Sequence, residues 1–358
     1  MIVKNESKVI ERCLESVKPF IDYWVIVDTG STDGTQNVIL KYMEDVPGEL
    51  HERSWVDFAH NRTEALHLAK KKGDYLLCID ADEELIPEEG FSLPNLEFDW
   101  YFWQIKSSGT HWHKAHLIKN SLDWKWVGVL HEYLDAVTKT RGYLDGITTV
   151  AHPEGCRSQD PKKYTKDAEV LEKALKKEPN NARYMFYLAQ SYKDAGDYRR
   201  AIEKYQKRVE MGGWAEEVFW SLYQVAYLKE LLQKSSEEVI KAYCDAFHYR
   251  PTRAEPLCRL AMYLRAQGNY AMAYAIADLG TSIKVPNDIL MVEEWAYDYR
   301  LSMEKAIGAY WVGKYEEANN LALSLLNNSK FPKEMHEVAE NVIWWAQPKI
   351  FQSAVVSQ

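Results

Sequence analysis

The sequence predicts two domains of different class, an α/β domain over residues 1–160 and an all-α solenoid of helical repeats over residues 161–350. Two observations predict this division. Before residue 160, short apolar runs alternate with segments of helical spacing, which is typical of βα units and a largely parallel sheet. After residue 160, the pattern is helical throughout and repeats a helix, a glycine-containing turn and a second helix.

The length and charge of the chain agree with this division and exclude one class of partner. At ~100–200 residues per domain, the 358 residues correspond to two domains. The 44 basic and 53 acidic residues give a formal charge of -9, which argues against a protein that mainly grips nucleic acid phosphates. We therefore expect no nucleic acid partner.

Cysteine usage and hydropathy predict a cytoplasmic protein without a membrane span. The five cysteines form no Cys-x-x-Cys pair, which argues against a disulfide framework or structural zinc and favours a reducing compartment. No apolar run approaches the ~18–20 residues that a spanning helix needs. Met1 already lies inside a predicted strand, so we expect no signal peptide.

In the first half, two apolar runs end in acidic turns. Residues 24–27 lead into Asp28-Thr29-Gly30, and residues 75–79 lead into Asp80-Ala81-Asp82. Ligands of parallel α/β sheets bind beyond the carboxyl ends of the strands. The two turns therefore mark the predicted functional edge. The segments with helical spacing are residues 7–17 and 61–72.

The second half contains three similar blocks, each with a glycine in its turn: Gly196, Gly268 and Gly313. Each block resembles the tetratricopeptide repeat, whose unit is 34 residues. The first two glycines lie 72 residues apart, close to two units, whereas the last step of 45 residues predicts an irregular repeat or an insertion. Such solenoids present a concave face that would bind an acceptor. The alternative is a helical scaffold whose apolar surfaces pack only against one another and bind no acceptor.

The strongest local signal is Asp80-Ala81-Asp82, which Glu83 follows. Two carboxylates two positions apart at a strand end can both reach one divalent cation, and hard oxygen ligands suit Mg²⁺ or Mn²⁺. Such a metal would bridge two phosphates of a nucleotide and neutralise a diphosphate leaving group. The alternative is a solvated acidic turn that caps a helix beginning near Pro87.

Residues 27–35 form the second polar motif, again at a strand end. Gly30 and Gly34 permit tight turns and a close approach of the backbone to a ligand. Asp28 would accept hydrogen bonds from a ribose or a base, whereas Asp33 is placed to cap the next helix. The alternative is a plain turn between strand and helix.

Four motifs occur in order along the chain, at residues 1–6, 27–35, 57–62 and 80–83. Together they resemble glycosyltransferase family 2, whose fold is the GT-A (nucleotide-diphospho-sugar transferase-like) fold. The helical half narrows the resemblance to bacterial-type members that fuse this module to tetratricopeptide repeats.

The resemblance implies nucleoside contacts for the first two motifs. The backbone of Ile2 and Val3 would line the base and ribose pocket, Glu6 would contact the base, and Asp28 would lie beside the nucleoside. Many family members carry two adjacent acidic residues where this chain has Asp28 and Thr29, so the chain departs from the family pattern at this point.

For the other two motifs, the resemblance implies contacts with the diphosphate and the metal. Asn61 and Arg62 fall at the start of the donor-contacting helix, and the guanidinium fork of Arg62 matches two diphosphate oxygens. Asp80 and Asp82 would hold the metal and the ribose or diphosphate edge.

Residues 124–132 bring two tryptophans, suited to stacking on sugars, close to a His-Glu pair. An inverting transfer needs a carboxylate to take the proton from the acceptor hydroxyl. The resemblance implies that Glu132 is this base, because a His-Glu pair recurs here in related members. Asp135 is the alternative base, and Glu132 would otherwise be a structural carboxylate paired with a basic residue.

The resemblance also implies that His152 is a third metal ligand, because GT-A enzymes often draw one from the end of the catalytic half. Arg157, Lys162 and Lys163 follow and would fold over the diphosphate as a lid; the alternative is that they solvate the linker. Most of the other histidines that cluster late in this half are expected to be partly exposed strand residues. They are His111, His113, His116 and His131.

These features predict a metal-dependent, hexosyltransferase-like enzyme. It would move a sugar from a nucleoside-diphosphate donor, with UDP as the expected nucleotide, to a hydroxyl of a polypeptide or glycan, with inversion. One alternative is a scaffold that binds partners through its repeats and keeps a vestigial nucleotide-binding domain. A nucleotidyltransferase ranks last, because no glycine-rich basic loop lies near the amino terminus.

Overall fold

The computed structural model describes residues 1–107 and 110–356, and the chain divides into two compact units, Met1–Ala201 and Ile202–Gln358. The first unit combines strands and helices, and the second is built from helices. The predicted succession of an α/β region and a helical repeat region is confirmed, whereas the boundary at residue 160 stays a prediction. None of the helices described is long and apolar enough to cross a membrane.

The first unit begins with a parallel sheet and three helices. The strands are β1 (Ile2–Val3), β2 (Trp24–Asp28) and β3 (Gly48–Glu52), and the helices are α1 (Ile10–Val17), α2 (Thr35–Tyr42) and α3 (Phe58–Leu68). The strand order is β1-β2-β3, so the longest buried run, β2, lies in the centre. Leu14 of α1 and Ile39 of α2 pack with Ile26 of β2 in one apolar core.

Eight further strands complete the α/β region. They are β4 (Tyr75–Leu77), β5 (Glu83–Pro87), β6 (Trp100–Ser107), β7 (Thr110–Lys119), β8 (Lys125–Val127), β9 (Tyr133–Asp135), β10 (Arg141–Tyr143) and β11 (Ile147–Ala151). A second sheet has the order β4-β7-β6-β11-β5, with β10 paired to β6, while β8 and β9 form a separate pair.

The second sheet is mixed, so the expectation of a largely parallel sheet is correct for β1 to β3 and wrong here. β6 and β7 pair antiparallel. They are consecutive strands separated by two residues, and so short a connection permits only antiparallel pairing. β5 and β11 are also antiparallel, whereas β11 and β6 are parallel.

The segment near Pro87 is a strand, not the start of a helix. Residues 83–87 pair along their whole length with β11, from Glu83 opposite Ala151 to Pro87 opposite Ile147. Leu85 is buried in the core. Asp80-Ala81-Asp82 is therefore a turn that leads into an edge strand, to which Glu83 belongs.

A cavity of about 1060 Å³ is lined by residues of β1, β2 and β4. Leu14 and Val17 of α1 line it, as do Ala65 and Leu66 of α3.

Helices α4 (Lys163–Lys177) and α5 (Ala182–Asp194) form a hairpin within the first unit, and α6 (Tyr198–Glu210) begins there. Seven further helices are described in the second unit; short loops join them except between α10 and α11, and helices that are neighbours in the chain contact each other. These helices are α7 (Ala215–Leu231), α8 (Ser236–Tyr249), α9 (Glu255–Ala266), α10 (Tyr270–Thr281), α11 (Leu301–Trp311), α12 (Tyr315–Leu326) and α13 (His336–Val356).

Glycines set the geometry of the repeats in two ways. Gly196, Gly268 and Gly313 occupy the predicted turns with φ of 80°, 75° and 83°, a conformation that residues with a side chain adopt at a cost. Gly308 lies inside α11, where a Cβ atom would come within 2.9 Å of the Cα of Tyr274 on α10. Close packing of α10 and α11 therefore requires a residue without a side chain at position 308.

The irregular last repeat contains an insertion, as the spacing of its glycine predicts. Residues 282–295 separate α10 from the turn that precedes α11. Buried Arg253 holds this insertion: its guanidinium pairs with Asp288 at 3.0 Å and Glu255 at 2.6 Å, and it donates to the carbonyl of Met291 at 2.9 Å. A buried guanidinium is tolerated when several acceptors surround it.

Gly308→Ala should destabilise the helical unit by ~1–3 kcal/mol. Alanine favours a helix by about 1 kcal/mol over glycine, but overpacking against the Tyr274 backbone outweighs that gain. Urea unfolding monitored by circular dichroism measures the change. Ser324→Ala, on the exposed face of α12, is the matched control and should leave the midpoint unchanged. A Gly308→Ala variant as stable as the wild type would contradict the close approach.

Candidate active site

Asp28, at the carboxyl end of β2, is buried and only half satisfied. Its Oδ1 accepts hydrogen bonds from the N–H groups of Gly30 and Ser31, both at 2.8 Å, which fixes the turn after the strand. Its Oδ2 is buried and has no hydrogen-bond partner among the described residues. An acceptor left in this state costs ~1–3 kcal/mol, so a donor group of a ligand would be favourable here.

The loops after β1 and β2 are joined by side chain to backbone hydrogen bonds. Glu6 donates its N–H to Thr35 Oγ1 at 2.9 Å, and Ser7 donates its N–H to Asp33 at 3.0 Å. Asp33 also accepts from the N–H of Thr35, the first residue of α2, at 3.1 Å. Asp33 therefore has the structural position that the sequence predicts.

The backbone of β1 is already paired. Ile2 and Val3 lie opposite Val27 and Asp28, and the carbonyl of Val3 accepts from both the N–H and the hydroxyl of Thr29, at 2.9 and 3.0 Å. Thr29 thus replaces the second acidic residue of the family pattern with an internal hydrogen bond. The contact of Ile2 and Val3 with a nucleoside stays a prediction.

Arg62, on α3, joins two carboxylates that lie 52 positions apart in the sequence. Its Nη2 is 2.6 Å from Oδ1 of Asp80, and its Nε is 2.5 Å from Oε1 of Glu132. The guanidinium also lies 5.1 Å from the centre of the Trp126 ring. Three of the predicted site residues, Arg62, Asp80 and Glu132, therefore form one partly buried charge cluster.

Asn61, the neighbour of Arg62, has a supporting position. Its buried side chain accepts from the N–H of Val56 at 2.9 Å and donates to the carbonyl of Ser54 at 3.0 Å. Asp57 caps the same helix by accepting from the N–H of His60 at 2.7 Å. These bonds fix the start of α3, and with it the base of the Arg62 side chain.

Lys114 is a member of the cluster that the sequence analysis misses. Its Nζ lies 3.3 Å from Asp80 Oδ2 and 3.0 Å from Glu83 Oε1. Burial alone would raise the pKa of Asp80, but Arg62 and Lys114 hold it well below its ordinary value. The only sequence signal for Lys114 is a charged residue in the middle of a long strand pattern.

In contrast to Asp80, the carboxyl groups of Asp82 and Glu6 have pKa values above their ordinary values. Burial and the charge of Asp80 raise the pKa of Asp82. Burial, with smaller contributions from Asp82, Asp33 and Asp80, raises the pKa of Glu6 to about 7. Within residues 1–107 and 110–356, neither carboxylate makes an ion pair. The side of the site that contains Asp82 and Glu6 would therefore favour a bound cation.

His152 is close to Asp82, but its ring contacts another residue. The N–H of His152 donates to the carbonyl of Asp82 at 3.0 Å, while its Nε2 lies 2.9 Å from Glu84 Oε2. In the part of the chain that is described, no three His, Cys, Asp or Glu side chains are grouped so that they could hold a metal. The predicted ligands Asp80, Asp82 and His152 stay predictions.

The predicted lid is anchored to the first helical hairpin. Arg157 pairs with Asp167 of α4 and lies 4.7 Å from the centre of the Phe58 ring. Nζ of Lys163 is 3.4 Å from the hydroxyl of Ser158. The lid role of this segment is not tested by these contacts.

Glu132 and Asp135, the two candidate bases, have different surroundings. The side chain of Glu132 is 9% exposed and faces Arg62. Asp135 is 48% exposed and lies 3.4 Å from Lys125 on the neighbouring strand. Glu132, rather than Asp135, is therefore the carboxylate within the charge cluster.

Comparisons with known proteins assign families to two parts of the chain. Residues 1–90 match the model of "Glycosyl transferase family 2", and residues 170–203 match that of "Tetratricopeptide repeat". The first match includes Asp28, Arg62, Asp80 and Asp82, and the second includes α5.

Curated relatives point in the same direction. A TPR repeat-containing protein of Synechococcus elongatus is 39% identical over 89 residues, 25% of this chain and 21% of that protein. An uncharacterized glycosyltransferase of Rickettsia bellii is 38% identical over 88 residues, 25% of this chain and 28% of that protein. The glycosyltransferase SunS of Bacillus subtilis is 24% identical over 228 residues, 58% of this chain and 53% of that protein.

The matches with these relatives span about a fifth to about a half of their length. Among solved structures, MamA is 18% identical with a TM-score of 0.34, covering 54% of this chain and 91% of MamA. At this TM-score the similarity does not support the repeat assignment, which depends on the family model and on the helix pairs. The chain therefore joins a glycosyltransferase family 2 region at its amino-terminal end to tetratricopeptide repeats.

Proposed function

We propose that this protein is a metal-dependent, hexosyltransferase-like glycosyltransferase that moves a sugar from a UDP-sugar to a hydroxyl of a polypeptide or glycan, with inversion. The observation that carries the proposal is the contact of Arg62 with both Asp80 and Glu132. One guanidinium thus joins the carboxylate proposed to face the donor to the carboxylate proposed to accept the proton.

The donor would be held by groups around β2 and α3. Asp28 Oδ2, which lacks a partner among the described residues, would accept a hydrogen bond from the nucleoside. Glu6 lies at the same edge, joined to the loop after β2. Arg62 has the fork geometry that binds diphosphate oxygens, and Arg157 would approach from the lid segment.

A divalent cation would be favourable beside Asp82 and Glu6, although the described His, Cys, Asp and Glu side chains do not form a ready-made group of three ligands. Asp82 and Glu6 both carry raised pKa values, which a cation beside them would lower again. Asp80, Asp82 and His152 are the proposed ligands, and binding through Nε2 would replace the contact of His152 with Glu84. When bound, Mn²⁺ or Mg²⁺ would neutralise the charge of the departing diphosphate.

Glu132 would act as the general base. It takes the proton of the acceptor hydroxyl while that oxygen forms a bond to the anomeric carbon. The bond between this carbon and the diphosphate breaks, and the diphosphate leaves with the electron pair. Arg62, at 2.5 Å from Oε1 of Glu132, would orient this carboxylate for the step. The repeats would bind the polypeptide or glycan that carries the hydroxyl.

One observation favours the alternative of a scaffold with a vestigial nucleotide-binding domain. Asp80 is already paired with Arg62 and Lys114, so its charge is compensated without a metal. A thermal-shift screen of nucleoside diphosphates with Mn²⁺ separates the two. The enzyme should gain ~2.7 kcal/mol at a ligand concentration of a hundred times Kd, and a scaffold should gain nothing.

Asp82→Asn should abolish both sugar transfer and the stabilisation by UDP with Mn²⁺. The metal-free variant should fold with a Tm at or above that of the wild type, because a carboxylate whose pKa is raised by burial destabilises the folded state when ionised. Thermal shift and a UDP-release assay measure the two effects. Asp74→Asn, at an exposed carboxylate, is the control and should behave as the wild type. Full transfer in the presence of EDTA would exclude the metal role.

Glu132→Gln should lower kcat by a factor of ~10²–10⁴ because the proton acceptor is lost, and it should change UDP affinity far less because the amide oxygen can still accept a hydrogen bond from Arg62. Steady-state kinetics and calorimetric titration with UDP test both expectations. Asp135→Asn is the matched variant and should retain activity, since Asp135 lies outside the charge cluster. The reverse result, with Asp135→Asn inactive and Glu132→Gln active, would move the base to β9.

Glu6→Gln should stabilise the metal-free protein at pH 8 but not at pH 4. The folded pKa of Glu6 is raised from 4.5 to about 7. The stability linked to its protonated form is therefore complete below pH 4.5 and lost as the pH rises through 7. Glutamine cannot ionise, so the variant escapes this loss. Melting curves in EDTA across this range provide the measurement, and parallel pH profiles for both proteins would contradict it.

A further inference from the structure

The loop that carries Glu132 has a backbone that requires external support. Residues 128–132 connect β8 to β9, with φ of 117° at Gly128 and 51° at His131. Glycine adopts positive φ readily, but histidine does so at a cost. Strained non-glycine residues persist where their surroundings hold them, and they concentrate at functional sites.

Helix α5 supplies this support through three neighbouring side chains. Arg183 donates from Nε and Nη2 to the carbonyl of His131, at 3.0 and 2.7 Å. Tyr184 accepts a hydrogen bond from the N–H of Val129 at 3.3 Å through its hydroxyl. The ring of Tyr187 stacks on that of His131, with centres 3.9 Å apart and planes at 7°. The helix therefore contacts both halves of the loop.

The Arg183 guanidinium also packs against two aromatic rings, which restricts its orientation. Its guanidinium lies 5.2 Å from the centre of the Tyr133 ring and 5.0 Å from that of Tyr187. A planar fork held between two rings loses little freedom when it binds one carbonyl with two N–H groups. This carbonyl belongs to the peptide group that leads directly into Glu132.

We propose that Arg183 is a positioning residue for catalysis: by fixing the His131–Glu132 peptide group, it aims the Glu132 carboxylate at Arg62 and the acceptor. The inference rests on the proposed role of Glu132 as base. The first repeat helix then serves the active site as well as the repeats, because α5 lies within the part that matches the tetratricopeptide repeat model.

Two variants of the full chain test this role. Arg183→Ala should lower kcat at least tenfold, with the donor KM and the UDP affinity within about threefold of the wild type. Arg183→Lys keeps the positive charge and N–H donors but loses the planar fork, so its kcat should lie between those of Arg183→Ala and the wild type. Millimolar guanidinium should restore part of the activity of Arg183→Ala. Arg199→Ala, at an exposed arginine of α6, is the control and should match the wild type in every measurement.

Hydrogen exchange gives a readout that does not depend on activity. In Arg183→Ala, peptides covering residues 127–135 should exchange faster than in the wild type, while those of β2 and β6 should not change. Unchanged exchange in this loop, or a wild-type kcat, would overturn the positioning role. If Glu132→Gln is inactive while Arg183→Ala is fully active, the proposed function stands and this inference fails. A wild-type chain that neither binds nor transfers any donor sugar would overturn the proposed function, and exchange would still decide whether Arg183 holds the loop.

Discussion

The ion pairs of Arg62 are the interaction on which the site depends. A guanidinium with a side chain only 15% exposed is stable when it is paired and hydrogen-bonded on several sides. Asp80, Glu132 and the Trp126 ring meet this need from three different segments. Removing either carboxylate would leave buried charge uncompensated, so α3, the turn after β4 and the loop between β8 and β9 are held in one arrangement. The geometry of the proposed chemistry follows from this electrostatic requirement.

Charge is distributed unevenly across the site, and the two sides suit ligand groups of opposite charge. Arg62 and Lys114 compensate Asp80 fully, which lowers its pKa. Asp82 and Glu6 lack such partners in the described residues, and their pKa values are raised. A nucleotide with its cation would meet both needs, since the diphosphate suits the side with Arg62 and Lys114 and the cation suits the carboxylates of Asp82 and Glu6.

Local chemistry made part of this structure predictable from the sequence. Asp28 and Asp80 follow apolar runs, so their place beyond the strands could be predicted, as could the turns at Gly196 and Gly268, where positive φ favours glycine. The mixed sheet and the strand at residues 83–87 were missed because β4 pairs with the distant β7 and β5 pairs with the distant β11. Lys114 was missed for the same reason: its partners, Asp80 and Glu83, come from another part of the chain.

The same reasoning explains why the first compact unit extends to Ala201, well past residue 160, where the sequence pattern changes. The sequence pattern changes where strands are followed by helices, whereas a compact structural unit ends where few contacts cross the chain. Asp167 of α4 is a carboxylate with a side chain only 7% exposed, and its partner Arg157 precedes the hairpin. Arg183 of α5 binds the backbone beside Glu132. A buried carboxylate and a strained loop thus both obtain their partners across residue 160, within the first compact unit.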